Sequence, residues 1–205
     1  MMEFQRIILV HYHEIGLKGR NRGVFEKRLQ KNLEALLGAY PIVTIHRISG
    51  RLLVFLREGT SLEVANECAD AILGVPGVAR VSCGFKCEQE MEAMGRAACI
   101  ALAEAEPFQT FKVSARRNHT TFPIDSMQLN RDIGAVLCEE FPAKNVQMKD
   151  QDVTVGVEVV EGSTYVYARS IRGIGGLPVG SSGTVVALLS SGIDSPVALW
   201  RMARR

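Results

Sequence analysis

The sequence lacks most features that would set it apart from an ordinary globular protein. No run reaches the ~18 consecutive apolar residues of a membrane-spanning helix, which excludes a helical span. Met1 to His13 has no basic stretch leading into a long apolar core and a small-residue cleavage site, so it does not read as a signal peptide. Gly-Lys-Ser/Thr is absent, and with it the Walker A phosphate loop. Aromatic residues make up only 6%, with a single tryptophan. Cysteine is scarce and scattered, at Cys68, Cys83, Cys87, Cys99 and Cys138. The short spacing from Cys83 to Cys87 has no second pair and no neighbouring histidine, whereas a zinc site takes about four ligands. The five therefore read as buried, reduced thiols of a cytosolic protein, and no metal site is expected.

What is present is globular. Hydrophobic residues reach 47% and charged residues 22%, which argues against disorder. The 205 residues suffice for one substantial domain or two to three small ones. A net charge of +2 looks bland, but it is uneven. Gly16 to Lys31 holds six cations (Lys18, Arg20, Arg22, Lys27, Arg28, Lys31) and one acid, Glu26, a local surplus of five. The other 189 residues carry −3.

Arg6–His13 reads as a strand, followed by a turn-rich segment and a helix from Asn21 to about Leu37 with Phe25, Leu29 and Leu33 at helical spacing. Ile42–Ile48 and Arg51–Leu56 read as a hairpin turning at Ser49-Gly50. Ser61 to Leu73 reads as a helix with Leu62, Ala65, Ala69 and Ile72 inward, and Gly77–Gly84 as a closing strand. That order is a split βαβ, ferredoxin-like arrangement with helices on one face of an antiparallel sheet. A second small α/β unit begins helix first, at Glu88–Glu106. The strand Phe108–Ala115, a polar loop Arg116–Thr121, a helix opened by Asp125 or Ser126, and strands Val153–Val160 and Thr164–Ala168 follow. Phe108, Phe111 and Phe122 read as packing residues. Arg172–Gly183 reads as a glycine-rich connector.

Val185–Leu189 suits a buried parallel strand leading into Ser190-Ser191-Gly192-Ile193-Asp194-Ser195 and a helix from Pro196. Small residues at such a turn let backbone N–H groups converge on an anion at a helix N-terminus. Ser190 and Ser195 add hydroxyl donors, and Asp194 either holds a loop amide or helps organise magnesium. A lone strand and short helix bury no core, so this last segment reads as the truncated start of a third domain.

ALLSSGIDSPVA resembles the PP-loop of the ATP pyrophosphatase superfamily. Together with IRGIGGLPVG before it, HYHEIGLKGRNRGVFEKRL, FKVSARRNHTTFPIDSMQLNRDIGAVL and VTVGVEVVEGSTYVYARS, it resembles the tRNA 4-thiouridine sulfurtransferases that also serve thiamine biosynthesis. The resemblance implies a ferredoxin-like domain at 1–86, a THUMP RNA-binding domain at 87–171, a linker at 172–183 and the start of a PP-loop Rossmann-like domain at 184–205. It implies a cytoplasmic enzyme that adenylates uridine 8 of tRNA with ATP and Mg2+ and transfers sulfur from a persulfide. A cysteine desulfurase would be the donor and a sulfur carrier protein of thiamine synthesis a further partner, with a homodimer when full length.

The ATP-binding residues it implies are Leu188, Leu189, Ser190, Ser191, Gly192, Ile193, Asp194 and Ser195. Ser191 stands where the family usually has a glycine, which costs about 1 kcal/mol if that position needs positive φ. None of the five cysteines matches the family's sulfur chemistry, so this chain alone is expected to be catalytically incomplete. Phosphate recognition wants rigidly held cations. Lys18, Arg20, Arg22, Lys27 and Arg28 form one candidate set, and Arg116, Arg117, Asn118 and His119 a second in the segment that the resemblance associates with the tRNA 3′ end. Lys144, Lys149, Arg169 and Arg172 extend the surface. His11 and His13 read as strand-end or RNA-contact residues rather than acid–base catalysts. The alternative reading is a stand-alone THUMP-type tRNA-binding module without enzymatic activity.

Overall fold

The computed structural model describes residues 4–48, 50–105, 107–118 and 122–204. The chain forms two compact units that interleave along the sequence. One gathers Leu9–Phe55, Glu63–Val81 and Ile171–Arg205; the other gathers Met1–Ile8, Leu56–Leu62 and Ser82–Ser170.

The first unit carries the Leu9–His11 part of strand β1 (Gln5–His11) with β2 (Ile42–Ile48) and β3 (Arg51–Leu56), in the order β2-β3-β1. β1 (Gln5–His11) is a run of β-branched and aliphatic residues whose Ile7–Val10 are wholly buried. A 3-10 segment, Glu14–Asn21, and helix α1 (Arg22–Leu36) follow. The expected spacing holds on α1: Leu29 and Leu33 lie one turn apart, fully buried, each contributing about 1.5–3 kcal/mol of apolar burial. β2 (Ile42–Ile48) and β3 (Arg51–Leu56) form the expected hairpin strands; Gly50 has φ 82, and Ser49 lies outside the described residues. On α2 (Leu62–Leu73), Ala65, Cys68, Ala69 and Ile72 are buried while Glu63 and Glu67 face solvent.

The second unit carries strands in the order β4-β8-β7-β5-β6 with helices against one face. Its strands are β4 (Arg80–Cys87), β5 (Thr110–Arg117), β6 (Asn145–Val146), β7 (Val153–Val160) and β8 (Ser163–Arg172). β5 runs parallel to both β6 and β7, and β7 pairs antiparallel with β8. Helix α3 (Met91–Ala103) is rich in alanine, and those small side chains admit close packing: Gly95 sits within contact distance of Val136 on α4 (Ser126–Glu140). Leu129, Ile133 and Leu137 of α4 join Met94, Leu102, Phe108, Phe111 and Phe122 in the core, so the three phenylalanines pack as expected. Asp125 opens α4 by accepting the Gln128 N–H at 2.8 Å, which holds its carboxyl below the usual range.

Several boundaries differ from expectation. Arg116 and Arg117 are not loop residues; β5 continues through them in parallel register with β7, Arg116 opposite Glu158 and Arg117 opposite Val159. β8 extends beyond Ala168 to Arg172. Val185–Leu189 forms no strand: among the described residues no ladder partner takes it up, and Val186 and Leu188 are more than nine-tenths exposed. Helix α5 starts at Asp194 rather than Pro196 and runs to Ala203 with no buried residue.

Candidate nucleic-acid interface and nucleotide loop

The basic segment divides into cations that hold the structure and cations that face outward. Tyr12 follows β1 and is buried, and its hydroxyl donates to Glu26. Arg22 donates from Nη2 to the Tyr12 oxygen at 2.7 Å and from Nε to Glu26 Oε1 at 2.7 Å, with its guanidinium over the Tyr12 ring. Burial first, and then the bond to Glu26, push the Tyr12 phenol up to about 12 despite the opposing Arg22 charge. Arg22 is thus an internal clamp between β1 and α1. Lys18 folds back over the Phe25 ring, 5.1 Å from its centroid. Gly19, at φ 51 and ψ −126, reverses the chain between them, a conformation that glycine adopts without strain.

Arg20, Lys27, Arg28 and Lys31 are exposed. On α1, Lys27, Arg28 and Lys31 fall within one turn of each other on a common face. Arg28 also lies against the connector, its guanidinium carbon 3.3 Å from where a Gly180 Cβ would stand.

The second candidate set divides likewise. Arg116 is exposed at the end of β5. Arg117 is half-buried and donates from Nη1 to the Phe122 carbonyl at 2.8 Å, so its charge is turned toward the chain's own backbone. Asn118 is exposed and its N–H is held by Val159. His119 lies outside the described residues. Lys144 donates to the Phe108 carbonyl at 2.6 Å and sits over that ring at 4.6 Å. Lys149 and Arg172 are exposed, and Arg169 is half-buried.

The connector is tied down. Within the first unit, Gly175 N–H donates to Val78 O at 2.7 Å, Gly77 N–H to Gly175 O at 2.9 Å and Gly173 N–H to Ala79 O at 3.0 Å. Asn32 of α1 reaches Val179 O at 3.1 Å, and Leu177 N–H takes the Arg204 carbonyl at 2.8 Å. Gly176 has φ 83, and a Cβ there would stand 2.1 Å from that carbonyl. These contacts anchor the end of α5. Nothing in the local sequence signals them, because they depend on which turns are brought together.

At the head of α5, residues 188–194 are exposed and Ser195 is half-buried. Ser190 Oγ and Ser195 Oγ share a hydrogen bond of 2.7 Å that bridges the loop, and Gly192 N–H points at Ser190 Oγ from 3.4 Å. Two hydroxyls and the first amides of a helix suit a phosphate, so the residues fit an ATP tail. Asp150 is the one non-glycine residue with positive φ among those described, so Ser191 carries no left-handed strain. Leu188, Leu189 and Ile193 are strongly exposed and offer only apolar surface beside the loop.

The cysteines are all free thiols. Cys68, Cys83 and Cys87 are buried as expected, but Cys138 is exposed on α4 and Cys99 is intermediate. Burial pushes the Cys83 thiol up, against the nearby Arg6 guanidinium, and takes Cys87 up to about 12, so neither is an activated nucleophile. Among the described residues no group of three or more His, Cys, Asp and Glu could hold a metal ion, and no helix is long and apolar enough to cross a membrane.

Comparison with known proteins adds family context. A ThiI ferredoxin-like domain model matches residues 7–82, a THUMP domain model residues 88–169, and a thiamine biosynthesis protein (ThiI) model residues 180–205. A probable tRNA sulfurtransferase of Thermoanaerobacter pseudethanolicus is 35% identical over 201 residues, covering 98% of this chain and 51% of the relative. One from Geobacillus thermodenitrificans is 36% identical over 206 residues, covering 100% and 50%. The chain thus spans about half the length of these curated relatives. Among solved structures, a 4-thiouridine synthetase–RNA complex with bound ATP matches with TM-score 0.79 and 32% identity, over 98% of this chain and 50% of that one. A protein from Pyrococcus horikoshii Ot3 matches with TM-score 0.84 and 28% identity, over 98% and 65%.

Proposed function

The chain belongs to the tRNA sulfurtransferase family, and from that premise we propose that it is the tRNA-gripping and nucleotide-loop part of a uracil 4-sulfurtransferase. The full protein uses ATP and Mg2+ to adenylate uridine 8 of tRNA in the cytoplasm. The outer sulfur of a persulfide loaded by a cysteine desulfurase then displaces AMP, a second thiol of the full protein closing a disulfide with the sulfur left behind, and sulfur also goes to a carrier protein for thiazole synthesis. Domain boundaries at 1–86, 87–171, 172–183 and 184–205, and a homodimer for the full protein, belong to the same reading.

The observation that carries it is likeness along 98% of the chain to a 4-thiouridine synthetase solved with RNA and ATP. The residues present suit the roles. Ser190, Ser195 and the amides from Gly192 onward would hold the nucleotide's phosphates, with Asp194 positioned to hold a loop amide or the magnesium shell. Arg20, Lys27, Arg28, Lys31 and Arg116 offer exposed charge to RNA phosphates, whereas Arg22, Arg117 and Lys144 shape the surface from within. Burial holds Cys83 and Cys87 as thiols, and on this reading the chain by itself binds tRNA while the sulfur chemistry belongs to the full protein.

Fluorescence anisotropy with an unmodified tRNA transcript tests this. Saturable binding that weakens with salt is expected. Arg116→Ala should lower the salt slope by roughly 0.7–0.9, the counterion release of a single phosphate contact. Arg117→Ala, which loses only the bond to the Phe122 carbonyl, should leave the slope alone. Absence of saturable binding, or an unchanged slope in Arg116→Ala, overturns the respective assignment.

A further inference from the structure

Two large apolar side chains are exposed on the segment that carries the exposed cations. Leu17, on the 3-10 segment, is 80% exposed, and Val24, in the first turn of α1, is 67% exposed. Leu17 adjoins Lys18, whose ammonium is drawn back over Phe25, so the leucine rather than the lysine projects there. Val24 shares a helix face with Lys27, Arg28 and Lys31 by the i, i+3, i+4, i+7 rule, and Arg20 is exposed on the 3-10 segment that leads into the helix. The inward face of the same helix is complete without them, since Leu29 and Leu33 are already fully buried. The Tyr12–Arg22–Glu26 clamp fixes the start of α1 and the Gly19 reversal sets the loop, so neither apolar residue can fold into the core without breaking those contacts. Held exposed on the segment that carries Arg20, Lys27, Arg28 and Lys31, Leu17 and Val24 give this cationic face an apolar component.

We propose that Leu17 and Val24 are RNA-contacting residues that pack on ribose or on an unstacked base of the bound tRNA, while Arg20, Lys27 and Lys31 hold its phosphates. The proposal rests on the tRNA-binding reading and deepens it. Charge complementarity selects the occupant: a surplus of five positive charges within 16 residues suits a polyanion. The wide, shallow minor groove of A-form RNA and its unpaired ends expose sugar and base surface beside phosphates, the mixture that this patch mirrors. Phosphates alone would leave the two apolar residues in water. Contact through them gives the surface a preference for nucleotide shape over bare charge.

The test uses the 205-residue chain, an unmodified tRNA transcript and a salt series. Leu17→Ser/Val24→Ser should weaken binding by about tenfold with an unchanged salt slope, because apolar contact releases no counterions. Lys27→Ala/Lys31→Ala should weaken it with a slope lower by about one to two. Leu17→Met/Val24→Ile, which keeps the apolar surface, should bind as the parent does. Parent-like affinity in the serine variant overturns the proposal, as does a loss in the Met/Ile variant. So does a serine-variant loss confined to phosphatidylglycerol vesicles, with tRNA affinity untouched, which would make the patch a membrane-surface contact. Failure of the parent chain to bind tRNA sinks the functional reading itself, an outcome distinct from the others.

Discussion

Replacing Gly176 with alanine should detach the end of α5 from the connector and leave the rest of the fold standing. The alanine Cβ would stand 2.1 Å from the Arg204 carbonyl oxygen, where ordinary contact begins near 3.4 Å, so the strands of chain must part by about 1 Å. Parting them breaks the 2.8 Å bond from Leu177 N–H to that oxygen, worth about 1 kcal/mol. The left-handed φ of 83 adds about 1–2 kcal/mol of strain for any residue with a Cβ. The sum, about 2–3 kcal/mol, falls on a ten-residue helix that has no buried side chain and is too short to persist alone. Local opening absorbs it. Hydrogen exchange should therefore show the Leu177 amide and the α5 amides exchanging roughly 30- to 100-fold faster, with the amides of α1 and α2 unchanged. Emission from Trp200, the only tryptophan, should shift as the Arg204 guanidinium, now 4.6 Å from its ring centre, leaves. Gly183→Ala is the control, since a Cβ there meets nothing within 4 Å. Parent-like exchange at Leu177 in Gly176→Ala, or the same response in Gly183→Ala, would refute the reasoning.

Two further outcomes follow from the titrating groups. Neutral Tyr12 stabilises the fold, and its folded-state value of about 12 lies above the ordinary 10.0. That stabilisation is complete below about pH 10 and is lost as pH rises through about 12. Melting curves across this range should fall more steeply for the parent than for Tyr12→Phe; parallel curves would remove Tyr12 from the clamp. For the thiols, a disulfide reagent at neutral pH should label Cys138 rapidly and leave Cys68, Cys83 and Cys87 unreacted until denaturant is added. The rapid phase should vanish in Cys138→Ser, and its persistence would mean that one of the buried thiols is open to solvent.

The helices were legible because their apolar spacing is local: Leu29 and Leu33 on α1, and Ala65, Ala69 and Ile72 on α2, declare their faces without reference to anything distant. Strand ends were less so. Propensity halts β5 before Arg116, yet the ladder to Glu158 and Val159 carries it onward. The converse error falls at Val185–Leu189, where five apolar residues suit a strand and no ladder takes them up among the described residues. The cationic segment was plain from charge counting, but its division was not. Whether Arg22 faces RNA or Glu26 depends on the tertiary placement of Tyr12, and the i, i+4 spacing of Arg22 and Glu26 was the available hint. The connector shows the same limit. Its glycines read as freedom, whereas the folded chain uses them for close approach.

The backbone at Ser191 bears on how such loops are found. Because its φ is not left-handed, the position accepts any small L-residue, and under the proposed nucleotide-binding role the remaining constraint is the volume left for phosphates. Alanine should be silent for loop shape, while a branched residue would crowd the opening. A search pattern that insists on glycine there rejects sequences for a constraint the backbone does not impose. One written for small residues between Ser190 and Gly192, followed by Asp194 and Ser195, would admit them.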